Sequence, residues 1–186
     1  MAWDRGRRRG AGAFAWQQGR RQRTERLQST FGNEYDRTVE RSGDRRQAES
    51  ELEERRARVE RLQLHEIPPE QRQRLQTAWT ESQARFVDEP DTAIDDAERL
   101  VDEAMKARGY PVGDDFDRRY DDLSVEYAHV LDNYRRARDV SVARNEGGDV
   151  TTEDLRTAMV CYRDLFTELL NTSEGPPAMR DSRRTA

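Results

Sequence analysis

WTESQARFVDEPDTAIDDAERLVDEAMKARGYP, residues 79–111, decides how the rest of the chain is read. It holds the end of one helix, a hinge at Glu89-Pro90 and a second helix with both stop signals. Pro90 has no N–H and pushes Glu89 out of the helical region, so the helix carrying Trp79 and Phe86 is expected to end near Asp88. Asp91 suits the N-cap of the next helix. Ile94, Ala97, Val101, Ala104 and Met105 recur at three and four residues and give one apolar stripe, with Leu100 at its edge. Asp95, Asp96, Glu98, Asp102 and Glu103 fill the other side. Lys106 and Arg108 sit at the C-terminal end, where the helix dipole favours cations. Gly109 is placed for a left-handed turn after the last residue, Tyr110 for folding back on it, and Pro111 blocks continuation.

The 186 residues allow about one domain. Leu, Ile, Val and Phe together number 30, about 16% of the chain, below the level usual in folded domains. Charged residues make up 38%, yet the net charge is only −5, so self-repulsion does not force disorder. Apolar residues are few but strongly periodic. That pattern predicts thin helices with narrow seams. Lys106 is the only lysine among 33 basic residues, a bias that carries no functional weight by itself. The single cysteine, Cys161, excludes an intramolecular disulfide. No apolar run reaches membrane-spanning length and no signal-peptide core is present. The expectation is a cytoplasmic protein, with association at the cytoplasmic face of a membrane as the variant.

Four segments are expected. Residues 1–23 hold seven arginines against the single acid Asp4, interleaved with Trp3, Phe14, Trp16, glycine and alanine. They read as a basic disordered tail. The functional reading of the same residues is an anionic-surface patch of Arg7, Arg8, Arg9, Arg20 and Arg21 with Trp3 and Trp16 at the interface.

Residues 24–64 read as two short helices broken at Phe31-Gly32-Asn33, then a long charged arm. Leu27, Phe31, Tyr35 and Val39 share one face at a spacing of four. Ser42-Gly43 interrupts, and Asp44 can cap a helix running to about Leu64. Ala48, Leu52, Val59 and Leu62 form its seam, with Arg55 where an apolar residue is expected. Leu52, Val59 and Leu62 are the candidate contacts of a helical hairpin or coiled coil. Glu51–Arg55 and Glu54–Arg58 are placed as i,i+4 supports.

Residues 65–171 read as a helical bundle. His65 to Pro69 link into the helix of Leu75, Trp79, Phe86 and Val87. After Pro111, Asp114 or Asp115 caps a short helix with Phe116, Tyr120 and Leu123. A kink near Ser124 leads into a helix with Val130, Leu131, Tyr134 and Ala137. Gly147-Gly148 lies in a loop. Thr151 then opens a helix with Asp154 in a capping-box position, and Leu155, Ala158, Met159, Tyr162, Leu165, Phe166, Leu169 and Leu170 form its broad apolar face. Residues 172–186 read as a second disordered tail.

Candidates for chemistry do not converge. Glu126-x-x-His129 spaces a carboxylate and an imidazole one turn apart, but a di-iron bundle needs two such pairs and two further glutamates. Asp114, Asp115, Asp117, Asp121 and Asp122 lack the pattern of a calcium loop and read as helix-start acids. Cys161, near the edge of the apolar face of that last helix, reads as a buried structural thiol. A small-molecule site among Trp79, Tyr110, Tyr134 and Tyr162 is the remaining enzymatic reading. No phosphate loop, nucleophile elbow, CxxC or zinc spacing occurs. The expectation is no catalytic residue, no metal and no cofactor.

The stretches FGNEYDR (31–37), FVDEP (86–90), RGYP (108–111), NYR (133–135) and TEDLRTAMVCYR (152–163) are similar to an actinobacterial family of uncharacterised helical proteins. They occur in order over most of the chain. The resemblance implies a helical cytosolic domain and supplies no activity. Many relatives begin with a transmembrane helix followed by arginines; Arg7, Arg8, Arg9, Arg20 and Arg21 match that charge, and the apolar span is missing. Relatives have His-Pro where this chain has Tyr127-Ala128, which argues further against a Glu126/His129 metal pair.

The reading as a whole is an all-α protein, an elongated helical bundle or hairpin with a disordered basic N-terminus and a disordered C-terminal tail. Its expected role is a non-enzymatic interaction or scaffold protein that binds a protein partner or itself through the seam. The alternative is a peripheral binder of an anionic membrane surface, or after that of nucleic acid, through residues 1–23.

Overall fold

The computed structural model of the chain describes residues 8–113 and 115–171, with side chains from residue 18 onward. Among the described residues the fold is all α-helical, with no strand: α1 (Arg8–Phe31), α2 (Asn33–Ser42), α3 (Arg45–Val59), α4 (Pro69–Arg85), α5 (Pro90–Arg108), α6 (Phe116–Leu123), α7 (Leu131–Asn145) and α8 (Thr152–Asn171). The chain divides into two compact units, residues 1–54 and 55–186, so the boundary falls within α3.

In the first unit, α1 is longer than its apolar spacing alone suggests. It begins at Arg8, not Thr24, so residues 8–23 of the segment read as a tail are helical. Alanine and glutamine between the glycines are good helix formers, and helix can propagate backward from the anchored turn at Leu27 and Phe31. Residues 1–7 lie outside the described residues. The break falls at Gly32, whose φ of 51° and ψ of −128° suit glycine. Leu27, Phe31 and Tyr35 are buried, and Val39 is half-buried, as their spacing requires. Asp44 caps α3 by accepting the Arg46 N–H at 2.8 Å.

The arm ends early. α3 stops at Val59, and Glu60 to Leu62 form a tighter turn in which Leu62 N–H donates to Val59 C=O. Beyond it, His65 N–H donates to Arg108 C=O at 3.0 Å, and Arg108 Nη1 donates to His65 C=O at 2.9 Å. Helix continuation to Leu64 gives way to this pairing with the end of α5. Leu62 is accordingly a half-buried turn residue and not a third seam position, while Leu52 and Val59 are buried.

In the second unit α5 is the central helix, packed against α4 and α8, and α7 packs on α8. Ile94, Ala97, Leu100, Val101, Ala104 and Met105 are all buried. Each large apolar side chain in that stripe contributes on the order of 1.5–3 kcal/mol of burial. The α4–α5 turn differs slightly from expectation. Glu89 occupies the cap position without a side-chain bond, and Pro90 is the first helical residue. Proline's missing N–H costs nothing there and its φ already fits a helix, so the start moves ahead of Asp91. At the other end Gly109 has φ 95°, and Tyr110 N–H returns to Met105 C=O at 3.0 Å. α8 opens with the expected reciprocal cap: Asp154 accepts from Thr151 N–H at 2.9 Å, and Asp154 N–H donates to Thr151 Oγ1 at 3.2 Å.

Candidate functional site

The charged interior of the second unit follows from seam positions that the sequence fills with arginine. Arg55, 1% exposed, lies 2.9 Å from an Asp121 carboxylate oxygen. One turn on, Arg58 donates to Asp122 at 2.6 Å instead of pairing with Glu54. Arg119 donates to Asp102 at 2.5 Å, and Arg138 pairs with Glu98. Buried Arg108 lies 3.8 Å from Glu126, which also accepts the Tyr110 hydroxyl at 3.0 Å. Each arginine is thus taken by its own carboxylate. Desolvating an arginine demands such a partner, and the pairs serve the helix packing.

The chemical candidates separate in space. Glu126 turns inward to Arg108 and Tyr110, whereas His129 is exposed, 3.6 Å from Glu168. Asp115 caps α6 by accepting Arg118 N–H at 3.0 Å, while Asp121 and Asp122 face Arg55 and Arg58; Asp114 lies outside the described residues. Among the described residues no group of three His, Cys, Asp or Glu side chains is placed to hold a metal ion. Cys161 is buried; burial, with Asp164 nearby, pushes its thiol pKa up, away from a reactive thiolate.

The four aromatic candidates do not share one pocket either. Trp79 stacks on Phe166 at 4.5 Å, Tyr110 lies against Tyr127 at 6.3 Å, and Tyr134 meets Tyr162 edge-on at 6.2 Å. The Tyr162 and Ser141 hydroxyls lie 3.0 Å apart. Burial, the largest cause in each case, pushes Tyr110, Tyr134 and Tyr162 well above the usual phenol range. They keep their protons at neutral pH. A shallow groove of about 230 Å³ runs beside Trp79 and Phe166, bounded by Gln76, Thr80 and Leu170.

The first unit holds a larger cleft, about 560 Å³, lined by Arg20, Arg21, Thr24, Glu25, Gln28, Arg45 and Glu49. Residues 20, 21, 24, 25 and 28 fall on one face of α1, and 45 and 49 are one turn apart on α3. Its floor is a hydrogen-bonded cluster. Glu49 accepts the Thr24 hydroxyl at 2.7 Å and the Tyr35 hydroxyl at 3.0 Å, and Arg45 Nε donates to the Tyr35 oxygen at 2.9 Å. Burial alone raises the pKa of the Glu49 carboxyl; the two hydroxyl donors and the Arg45 charge reverse that and bring it below its ordinary value.

Of the surface-binding residues read from sequence, Arg20 and Arg21 line this cleft and are exposed. Arg8, Arg9 and Trp16 lie on α1, their side chains outside the described residues, as are Trp3 and Arg7 altogether. The sequence reading missed Thr24, Arg45 and Glu49. The signal was present: Glu49 follows Ala48 in the seam and stands one turn from Arg45, which places a carboxylate at the edge of a buried face. No helix among the described residues is long and apolar enough to cross a membrane. No family model, curated protein or solved structure matches the chain.

Proposed function

We propose that the chain is a non-enzymatic helical interaction protein whose contact element is α1 and whose partner is an anionic surface. The observation that carries this reading is charge segregation along the chain. Residues 1–31 hold eight arginines and two acids, a net +6; the whole chain is −5, so residues 32–186 carry −11. Arg20, Arg21 and Arg23 are exposed on a continuous helix. A basic helix on an otherwise acidic protein is attracted to negative surfaces, while the acidic remainder discourages other orientations. The paired arginines of the second unit favour a packing role for its buried charges over catalysis.

The test is co-sedimentation of the full chain with phosphatidylserine-containing vesicles at low and high salt. Deletion at Thr24 cuts α1 within a helix, so arginine-to-glutamine substitutions in the intact chain are the cleaner perturbation. Each arginine near an anionic membrane contributes about 1 kcal/mol, so R20Q/R21Q is expected to weaken binding on the order of thirtyfold at low salt. Binding insensitive to both salt and substitution refutes the reading.

A second reading is supported by the same segregation: the positive α1 of one copy meeting the negative surface of another. It predicts salt-sensitive self-association in sedimentation velocity without vesicles. Leu52 and Val59 are a poorer basis for self-association, because side chains already covered offer no free apolar surface.

A further inference from the structure

We propose that the cleft of the first unit binds a phosphate group, gripped between Arg45 on one wall and Arg20 and Arg21 on the other. The inference rests on the reading of α1 as an anion-directed helix and names the chemistry of that contact.

Three features of the cleft support it. First, the Arg45 guanidinium is oriented from behind. Its Nε donates to Tyr35 and lies 3.3 Å from Glu49, and its side chain is still 57% exposed. Its two terminal amino groups make no hydrogen bond among the described residues. A planar fork held at one edge, with the other edge open, is the geometry that takes two phosphate oxygens at once. Second, Arg21 has no ion-pair partner among the described residues, and Arg20 adjoins it at the same cleft. Third, the cleft keeps a net positive charge. Glu49 offsets Arg45, and its carboxylate is engaged by the Thr24 and Tyr35 hydroxyls in the floor, which leaves Arg20 and Arg21 facing Glu25. Glu25 is exposed on the rim.

A volume of about 560 Å³ admits a phosphate with a small attached group. The same chemistry is offered by a phosphomonoester lipid headgroup and by a free phosphorylated metabolite.

Inorganic pyrophosphate is titrated calorimetrically into the full chain at low salt. Saturable one-to-one binding is expected, weakened tenfold or more by Arg21→Gln and by Arg45→Gln and unchanged by R156Q/R163Q, which removes two exposed arginines of α8. Tyr35→Phe, which keeps every cation but frees the Arg45 fork, is expected to give a smaller loss with Arg45 still required. Circular dichroism confirms that each variant is folded. Absence of saturable binding overturns the site, and so does equal loss for R156Q/R163Q, which shows bulk charge alone.

Vesicles of phosphatidylcholine with phosphatidic acid, added as competitor, separate the sources. Competition assigns a lipid headgroup; pyrophosphate binding without competition assigns a soluble ligand. If the chain pellets with anionic vesicles but pyrophosphate does not bind, the site is refuted and the contact role of α1 stands. If neither binds, both fail.

Discussion

The guanidinium of Arg55, fully covered, lies 2.9 Å from the carboxylate of Asp121, 66 positions later in the chain. An arginine in an apolar seam is tolerable because the start of the second unit meets an acid there. Arg58 and Asp122 repeat the arrangement one turn along.

Removing both members of this pair therefore costs less than the two single losses added together. Arg55→Met is expected to lower unfolding stability by about 2–4 kcal/mol, the range for stranding a largely buried partner. R55M/D121N is expected to recover at least about 1 kcal/mol relative to additivity. Urea unfolding of the four proteins in a double-mutant cycle measures the coupling; strict additivity shows that the pair is incidental.

Glu49 sets a pH dependence with a definite sign. Its folded pKa lies below the ordinary carboxylate value, so its contribution is fully present above about pH 4.5 and is lost as pH falls through the folded pKa. Glu49→Gln is expected to destabilise the protein at pH 7 and to converge with wild type as the pH falls below the folded pKa of Glu49. Thermal melts across that interval check it, and a pH-independent difference attributes the effect to packing.

Leu52 and Val59 distinguish an interior from an interface. Both are buried within the chain. Leu52→Asp and Val59→Asp are each expected to cost about 3 kcal/mol or more, because a carboxylate at a covered site finds no water. The loss is expected to be the same at low and high protein concentration. Stability that rises with concentration in the wild type and not in the variants assigns these residues to a subunit contact instead.

Gly109 should resist replacement more than Gly43 does. Both have positive φ, but a β-carbon at Gly109 stands 2.7 Å from the Gln63 carbonyl oxygen, whereas one at Gly43 meets nothing within 4 Å. Gly43→Ala is expected to cost about 1–2 kcal/mol from backbone handedness alone. Gly109→Ala adds a backbone clash and is expected to cost more; equal losses in chemical denaturation contradict the close approach.

Local chemistry was legible in the sequence and long-range pairing was not. The Gly109-Tyr110-Pro111 stop, the Thr151/Asp154 cap, the break at Gly32 and the apolar face of α8 each depend on residues within a few positions of one another. The destination of Arg55 did not, since nothing near it names Asp121. The end of α3 was misplaced for the same reason: what halts the helix before Leu64 is a bond to Arg108, over forty residues away. The arginine cleft was half visible. Arg20 and Arg21 stood out by composition, but their opposite wall depends on how Arg45 and Glu49 return beneath α1.

The link from Gln63 to His65 has the composition of a loop and the constraints of a packed element. Its backbone exchanges two hydrogen bonds with Arg108 and lies against Gly109. Chain length is consequently fixed there. Descendants of this sequence can add or drop residues at Gly147-Gly148, where the turn is exposed, but an insertion between Leu62 and Ile67 would pull the link off the end of α5. Length variation among true homologues should therefore be concentrated in one loop and absent from the other.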